Sequence, residues 1–254
     1  MTVRYDVDGP IATITLDSPG NRNALSRTLV SELTAALEEA GADPVVRAVV
    51  LTHTGKSFCA GGDLSEAGGG AYTQETTAIM SMLAKIVRLS KPVVAKVNGH
   101  VRAGGMGIVG ACDIVVASSA ASFGFTEVRI GVTPAIISLT TLDIMEPRQT
   151  ARYYLTGEVF DAPTAERLGL VTVATAAEQL ESTVSGFLKQ IKETSPQGAA
   201  ETKKLLNRSR RQSLVDNAGA MVDLSARLFA SPEAQEGIHA FLQRRPASWL
   251  TVAD

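Results

Sequence analysis

The chain has 254 residues, 45% of them hydrophobic and 20% charged, with 24 basic against 26 acidic side chains and a net charge of −2. This composition excludes a disordered chain, and the near balance of charge gives no reason to expect nucleic acid or a membrane surface as a partner. Two cysteines (Cys59, Cys112) and three histidines (His53, His100, His239) make neither a disulfide framework nor a metal-ligand spacing, and residues 1–10 lack the apolar core of a secretory signal, so a cytoplasmic protein without a metal is expected.

Residues 11–16, IATITL, are a β-branched run ending in the turn Asp17-Ser18-Pro19-Gly20 and predict a strand. Leu25, Leu29, Leu33 and Leu37 recur every four residues and predict a helix closed by Gly41 and Pro44. Residues 48–52 predict a buried strand, and a Gly-rich stretch from 55 to 70 follows. Ile79, Met82, Leu83 and Ile86 have helical spacing. Residues 92–97 predict a strand, 99–111 a Gly-rich and partly helical segment, and 114–117 another strand. The apolar region 93–117 is interrupted by Lys96, His100, Arg102 and Asp113, which excludes a membrane span. Up to about residue 120 strands and helices alternate, which implies an α/β fold with largely parallel pairing. Beyond about residue 145 the pattern turns helical, over 150–155, 162–168, 177–191, 196–208 and 214–229. No internal repeat and no low-complexity linker interrupts the chain.

Several motifs fail on their surroundings. Gly105, Gly107 and Gly110 spell GxGxxG, but a dinucleotide fingerprint needs its first glycine directly after a strand, and here residues 98–104 intervene. Gly55-Lys56-Ser57 resembles the end of a phosphate-binding loop, yet Val50 stands where the first glycine belongs. No GxSxG elbow is present for a serine nucleophile. The basic run Lys203, Lys204, Arg208, Arg210 and Arg211 reads as a solvated helix face, and Asp113 as a local cap or turn.

Three segments remain together. Residues 57–64, SFCAGGDL, and 98–107, NGHVRAGGMG, each follow a buried strand, where small residues leave backbone N–H groups open and a helix N-terminus favours negative charge. Two converging N–H groups form an oxyanion hole. The third, 123–134, FGFTEVRIGVTP, sets Glu127 among apolar residues, where a carboxyl has a raised pKa and suits proton transfer; pairing with Arg129 is the alternative.

With these segments, Asn23-Ala24-Leu25, Leu155-Thr156-Gly157 and residues 165–171, the chain resembles the enoyl-CoA hydratase/isomerase (crotonase) superfamily from about residue 11 to 249. The resemblance implies an α/β spiral of ββα turns over 1–195 and a helical region over 196–254 that assembles a homotrimer or a dimer of trimers. It also implies an acyl-CoA thioester as substrate, with coenzyme A part of that substrate and no separate cofactor. The thioester oxygen would lie between the N–H groups of Ala60 and Gly104. Backbone around Arg22 and Ala24, and through Ala60, Gly61, Gly62, Asp63 and Leu64, would hold the adenine and pantetheine, with His100, Gly105, Gly107, Thr126 and Pro134 completing the pocket. The C-terminal basic residues would reach the CoA phosphates.

One departure concerns the chemistry. Hydratases with two glutamates carry one of them three residues after the oxyanion glycine, and Gly107 stands there. One helical turn separates the two positions, so the missing side chain would remove a carboxylate and open space beside Gly104. Glu127 matches the second glutamate. The expected activity is hydration of an enoyl-CoA through an oxyanion-stabilised enolate with a single glutamate; double-bond isomerisation and non-catalytic acyl-CoA binding are the alternatives. Asp143, Glu146 and His100 are candidates for a second acid or base.

Overall fold

The computed structural model describes residues 1–66 and 72–250. The chain opens with the hairpin β1 (Val3–Asp8) and β2 (Ile11–Leu16), then α1 (Arg27–Ala42). A strand–strand–helix unit follows three times. The first is β3 (Ala48–His53), β4 (Ser57–Cys59) and α2 (Tyr72–Arg88), and the second is β5 (Val93–Val97), β6 (His100–Arg102) and α3 (Gly104–Ala111). The third is β7 (Ile114–Ser118), β8 (Ser122–Gly124) and α4 (Ala135–Thr141). Next come α5 (Pro147–Thr156), β9 (Phe160–Asp161), α6 (Ala162–Arg167) and β10 (Val173–Thr175), and the chain closes with α7 (Leu180–Glu193), α8 (Pro196–Leu206), α9 (Arg208–Phe229) and α10 (Pro232–Gln243).

Each unit gives its first strand to one sheet and its second to another. The larger sheet has the order β1-β2-β3-β5-β7-β10, parallel except for β1. The smaller has the order β4-β6-β8-β9, parallel except for β9. The predicted parallel α/β core is therefore present, as a spiral of ββα turns. The helix predicted from Leu25 begins later, because Ser26 caps it by accepting the Leu29 N–H at 3.2 Å, and Gly41 lies inside its last turn. Part of the Gly-rich stretch, residues 67–70, and the chain end at 251–254 lie outside the described residues.

The C-terminal helices return to the core. Helix α9 packs on α2 and α4, and its Leu214 and Val222 belong to the same buried cluster as the sheet residues Ile14, Leu51 and Val97. The basic run is a solvated face only in part: Lys204 and Arg208 are exposed and Arg211 is half-buried. Lys203 and Arg210 are buried; the Lys203 ammonium lies 2.6 Å from Asp113 and donates to the carbonyls of Ile86 and Lys91, each at 3.0 Å. Asp113 in turn accepts the Val93 N–H at 2.8 Å and the Asn207 amide at 3.1 Å, while Arg210 donates to Asn207 and to the Gly110 carbonyl. Asp113 is thus an anchor for α8, and Lys203 and Arg210 are committed to partners inside the chain. Among the described residues, no helix is long and apolar enough to cross a membrane.

Candidate active site

The parallel strands of the smaller sheet carry the site on one end. β4 ends at Cys59, β6 at Arg102 and β8 at Gly124, and the residues just beyond these ends are Gly62, Gly104 and Glu127. The register Val101↔Phe123 and Arg102↔Gly124, with Ala103 donating its N–H to Gly124 at 3.1 Å, sets the Gly104 and Glu127 loops side by side. Gly61 joins the first loop to the second: a Cβ there would stand 2.8 Å from the Ala103 Cβ and 3.5 Å from the Gly104 nitrogen. Gly61 also has φ of +98°, so glycine is required at this approach on both counts.

The backbone donors differ from expectation. The Ala60 N–H is taken by the Arg22 carbonyl at 3.1 Å, so it is not free for a thioester oxygen. No backbone acceptor among the described residues takes the N–H of Gly62 or Gly104. Gly62 is exposed, and Gly104 is the first residue of α3, where helix geometry leaves N–H groups without intrahelical partners. Gly62 and Gly104, not Ala60, are therefore the residues whose N–H groups stand open here, with the positive end of the buried helix α3 behind the second.

Asn23, which the sequence shows only as part of the motif Asn23-Ala24-Leu25 and without a role, holds this arrangement together. It is fully buried, accepts the Ser18 N–H at 2.7 Å, and donates to the carbonyls of Thr54 and Ser57 at 3.0 and 2.8 Å. Arg22 and Asn23 both have positive φ, which turns the Arg22 carbonyl onto Ala60. The signal in the sequence was an asparagine, the non-glycine residue most tolerant of that conformation, next to a turn.

Glu127 opens a short 3-10 helix, residues 126–130, after β8. The residue is half-buried, but its Oε2 is sealed from solvent and has no hydrogen-bond partner among the described residues. Burial pushes its carboxyl from 4.5 up to about 8, opposed only by its own backbone N–H. Arg129 is exposed and forms no ion pair with it.

The glycines of α3 are occupied by packing. A Cβ at Gly105 would stand 2.8 Å from the Cys59 Cβ, one at Gly107 would stand 2.5 Å from Ile137 Cγ2 and 3.1 Å from Leu83 Cδ1, and one at Gly110 would meet the Thr140 carbonyl at 2.7 Å. The space expected at Gly107 is filled by Ile137 of α4 and Leu83 of α2, and Gly105 and Gly107 are not ligand-facing. The GxGxxG pattern is a helix-packing surface. Gly107→Glu is expected to destabilise the fold by about 1–3 kcal/mol through overpacking, with further loss from burying a carboxylate. A second change, Ile137→Ala, should recover part of that loss in denaturant unfolding.

The remaining candidates divide. Ala24 and Pro134 are buried in the loops flanking the site, Thr126 precedes Glu127, Asp63 and Leu64 follow Gly62, and Arg22 projects to solvent. His100 is not brought in. It stands at the start of β6, four residues before Gly104, and its Nδ1 meets the Ser122 hydroxyl at 2.8 Å. Asp143 is exposed and accepts from Ser209 at 3.0 Å, and Glu146 caps α5 by accepting the Gln149 N–H at 2.7 Å. None of these three supplies a second acid or base.

The family model for enoyl-CoA hydratase/isomerase matches residues 6–251. The chain belongs to this family. A mevalonyl-coenzyme A hydratase of Aspergillus fumigatus is 34% identical over 245 residues, covering 94% of this chain and 91% of the relative. A hydroxycinnamoyl-CoA hydratase-lyase of Pseudomonas fluorescens is 29% identical over 258 residues, covering 95% and 92%. The crystal structure of an enoyl-CoA hydratase from Mycobacterium avium superposes with a TM-score of 0.91 at 46% identity, covering 98% of each chain.

Proposed function

We propose that this member of the enoyl-CoA hydratase/isomerase family hydrates an enoyl-CoA with Glu127 as its single acid–base group. The observation that carries the reading is the placement of Gly62, Gly104 and Glu127 just past the ends of three adjacent parallel strands. The Gly62 and Gly104 N–H groups take the thioester oxygen and stabilise the enolate that forms when Cβ is attacked. Each such donor is worth about 2.7–4 kcal/mol in the transition state. Glu127, held neutral by burial, gives its proton to Cα while its second oxygen accepts a proton from the attacking water. The hydroxyl remains on Cβ, and Glu127 ends protonated as it began, so one water is added in total. This reading replaces Ala60 by Gly62 as oxyanion donor.

Isomerisation is the second reading, favoured by the apolar Ile137 and Leu83 at the position where a second glutamate would stand. In it Glu127 moves a proton between Cα and Cγ. Incubation with crotonyl-CoA or but-3-enoyl-CoA followed by mass spectrometry separates the two readings. Hydration adds the mass of one water and removes the conjugated thioester absorbance; isomerisation is read from but-3-enoyl-CoA, which gains that absorbance at unchanged mass. Because the neutral form of Glu127 is the donor, kcat/KM for hydration is expected to fall as pH rises through about 8. A rate that rises through the same range would assign the carboxylate, and not the acid, as the active form.

A further inference from the structure

Beside Gly62 a cavity of about 520 Å³ opens between α1 and α2, within the range of small-molecule sites. It adjoins the Gly62–Gly104 pair. Leu25 and Gly62 line it, and the same Leu25 lies against Gly104, where a Cβ would meet its Cδ1 at 2.7 Å. The two helices run side by side in the same direction, as the ion pairs Arg27–Glu75 and Lys85–Glu38 near their two ends require. Val30 and Ile79 give the groove its apolar floor, and midway along it Ala35 and Ala78, both exposed, leave it open. At the Gly62 end the ring of Tyr72 stacks on Phe229 with centroids 5.6 Å apart, and Gln235 donates to the Tyr72 hydroxyl at 3.0 Å.

The charges at the rim are one-sided. Glu38, Asp63, Glu66 and Glu75 line the cavity, and the cation among its described lining residues, Arg27, lies 2.6 Å from Glu75. No free cation is offered there to a carboxylate on an acyl tail. The relatives act on acyl groups as different as mevalonyl and hydroxycinnamoyl, so family membership leaves the acyl class open.

We propose that the α1–α2 groove is the acyl channel of this protein, that it takes a neutral aliphatic chain longer than crotonyl, and that Ala35 and Ala78 set the length accepted. The proposal rests on the thioester lying at Gly62 and Gly104. A short acyl group ends near Leu25, and a longer one runs along the apolar floor past the two alanines. Both alanines are exposed, so larger side chains there block the channel without entering the core.

The test uses the whole chain and the variants Ala35→Phe and Ala78→Phe, with crotonyl-, dodecenoyl- and an ω-carboxylated dodecenoyl-CoA. A methylene in an apolar pocket is worth roughly tenfold or more, so each variant should lose at least about tenfold in kcat/KM for dodecenoyl-CoA and stay within about twofold for crotonyl-CoA. The ω-carboxylated substrate should be at least about tenfold poorer than its neutral counterpart in the unmodified protein. Unchanged dodecenoyl-CoA turnover in both variants would overturn the channel, and equal use of the carboxylated chain would overturn its neutrality. Saturated lauroyl- and butyryl-CoA report binding without chemistry. Lauroyl-CoA should bind at least about tenfold more tightly, and Ala78→Phe should remove the difference. If no enoyl-CoA is turned over, the hydratase reading fails, and these dissociation constants still decide the channel: affinities indifferent to chain length or to Ala78→Phe overturn it.

Discussion

Glu127→Gln is expected to lose turnover by about 10²–10⁴-fold while the protein becomes more stable at neutral pH. The two effects share one cause. In the folded chain the carboxyl is raised from 4.5 to about 8, with Oε2 sealed and without a partner among the described residues. The unfolded chain releases this proton near the ordinary carboxylate value, and the folded chain keeps it. Stability therefore declines as pH rises from about 4.5 towards about 8, because the unfolded state gains ionisation that the native state forgoes. At neutral pH the penalty is on the order of 3 kcal/mol, and a neutral glutamine removes it. Melting temperatures of parent and variant should coincide at acid pH and separate as pH rises, with the variant higher. Acyl-CoA binding should persist, because the Gly62 and Gly104 donors are backbone groups. Parallel melting curves across pH would show that the carboxyl is not buried as an acid, and full turnover in the variant would remove Glu127 from the chemistry. Tension of this kind between stability and activity is usual where an active site holds a group out of water.

The second large effect belongs to stability alone. Lys203→Met is expected to cost about 3–5 kcal/mol, because it leaves Asp113 charged and inside without its cation. The same change strands the carbonyls of Ile86 and Lys91, which end α2 and precede β5. At roughly 2–4 °C per kcal/mol for a chain of this size, the melting temperature should drop by roughly 6–20 °C. Asp113→Asn in the Lys203→Met background removes the orphaned charge and should recover part of the loss. A double-mutant cycle on the two positions then isolates their coupling. Exposed Lys204 of the same run, which pairs with Glu201 at 2.5 Å, is the internal control: Lys204→Met should change stability by less than about 0.5 kcal/mol. A Lys203→Met protein as stable as the control would return Lys203 to the solvated face that its sequence setting suggested.

Local pattern carried the frame of the molecule. β-branched runs at 11–16, 48–52, 92–97 and 114–117 are the central strands of the larger sheet within a residue or so, and the helical spacings mark α1 and α2. Strands of two or three residues, β4, β6, β8, β9 and β10, are too short to show a period, so the smaller sheet was invisible although it carries the site. Two misses had a local signal. The alternation Val3-Arg4-Tyr5-Asp6-Val7-Asp8 is a strand pattern, and Ser231-Pro232 starts α10 as Ser195-Pro196 starts α8.

The sequence by itself determined the α/β class, the family likeness, the segments that meet at the site, and Glu127 as the one acid among apolar neighbours. These follow from residue type and near-neighbour order, which periodicity and turn chemistry read directly. Only the tertiary structure decided which N–H groups are free, what fills the space at Gly107, where His100 points and which cations of the basic run are buried. Each of those depends on a partner far away in the chain: the Arg22 carbonyl for Ala60, Ile137 for Gly107, Ser122 for His100 and Asp113 for Lys203. A backbone donor or a glycine carries no side chain by which its own sequence could announce that partner, and a lysine looks the same in sequence whether water or an aspartate receives it.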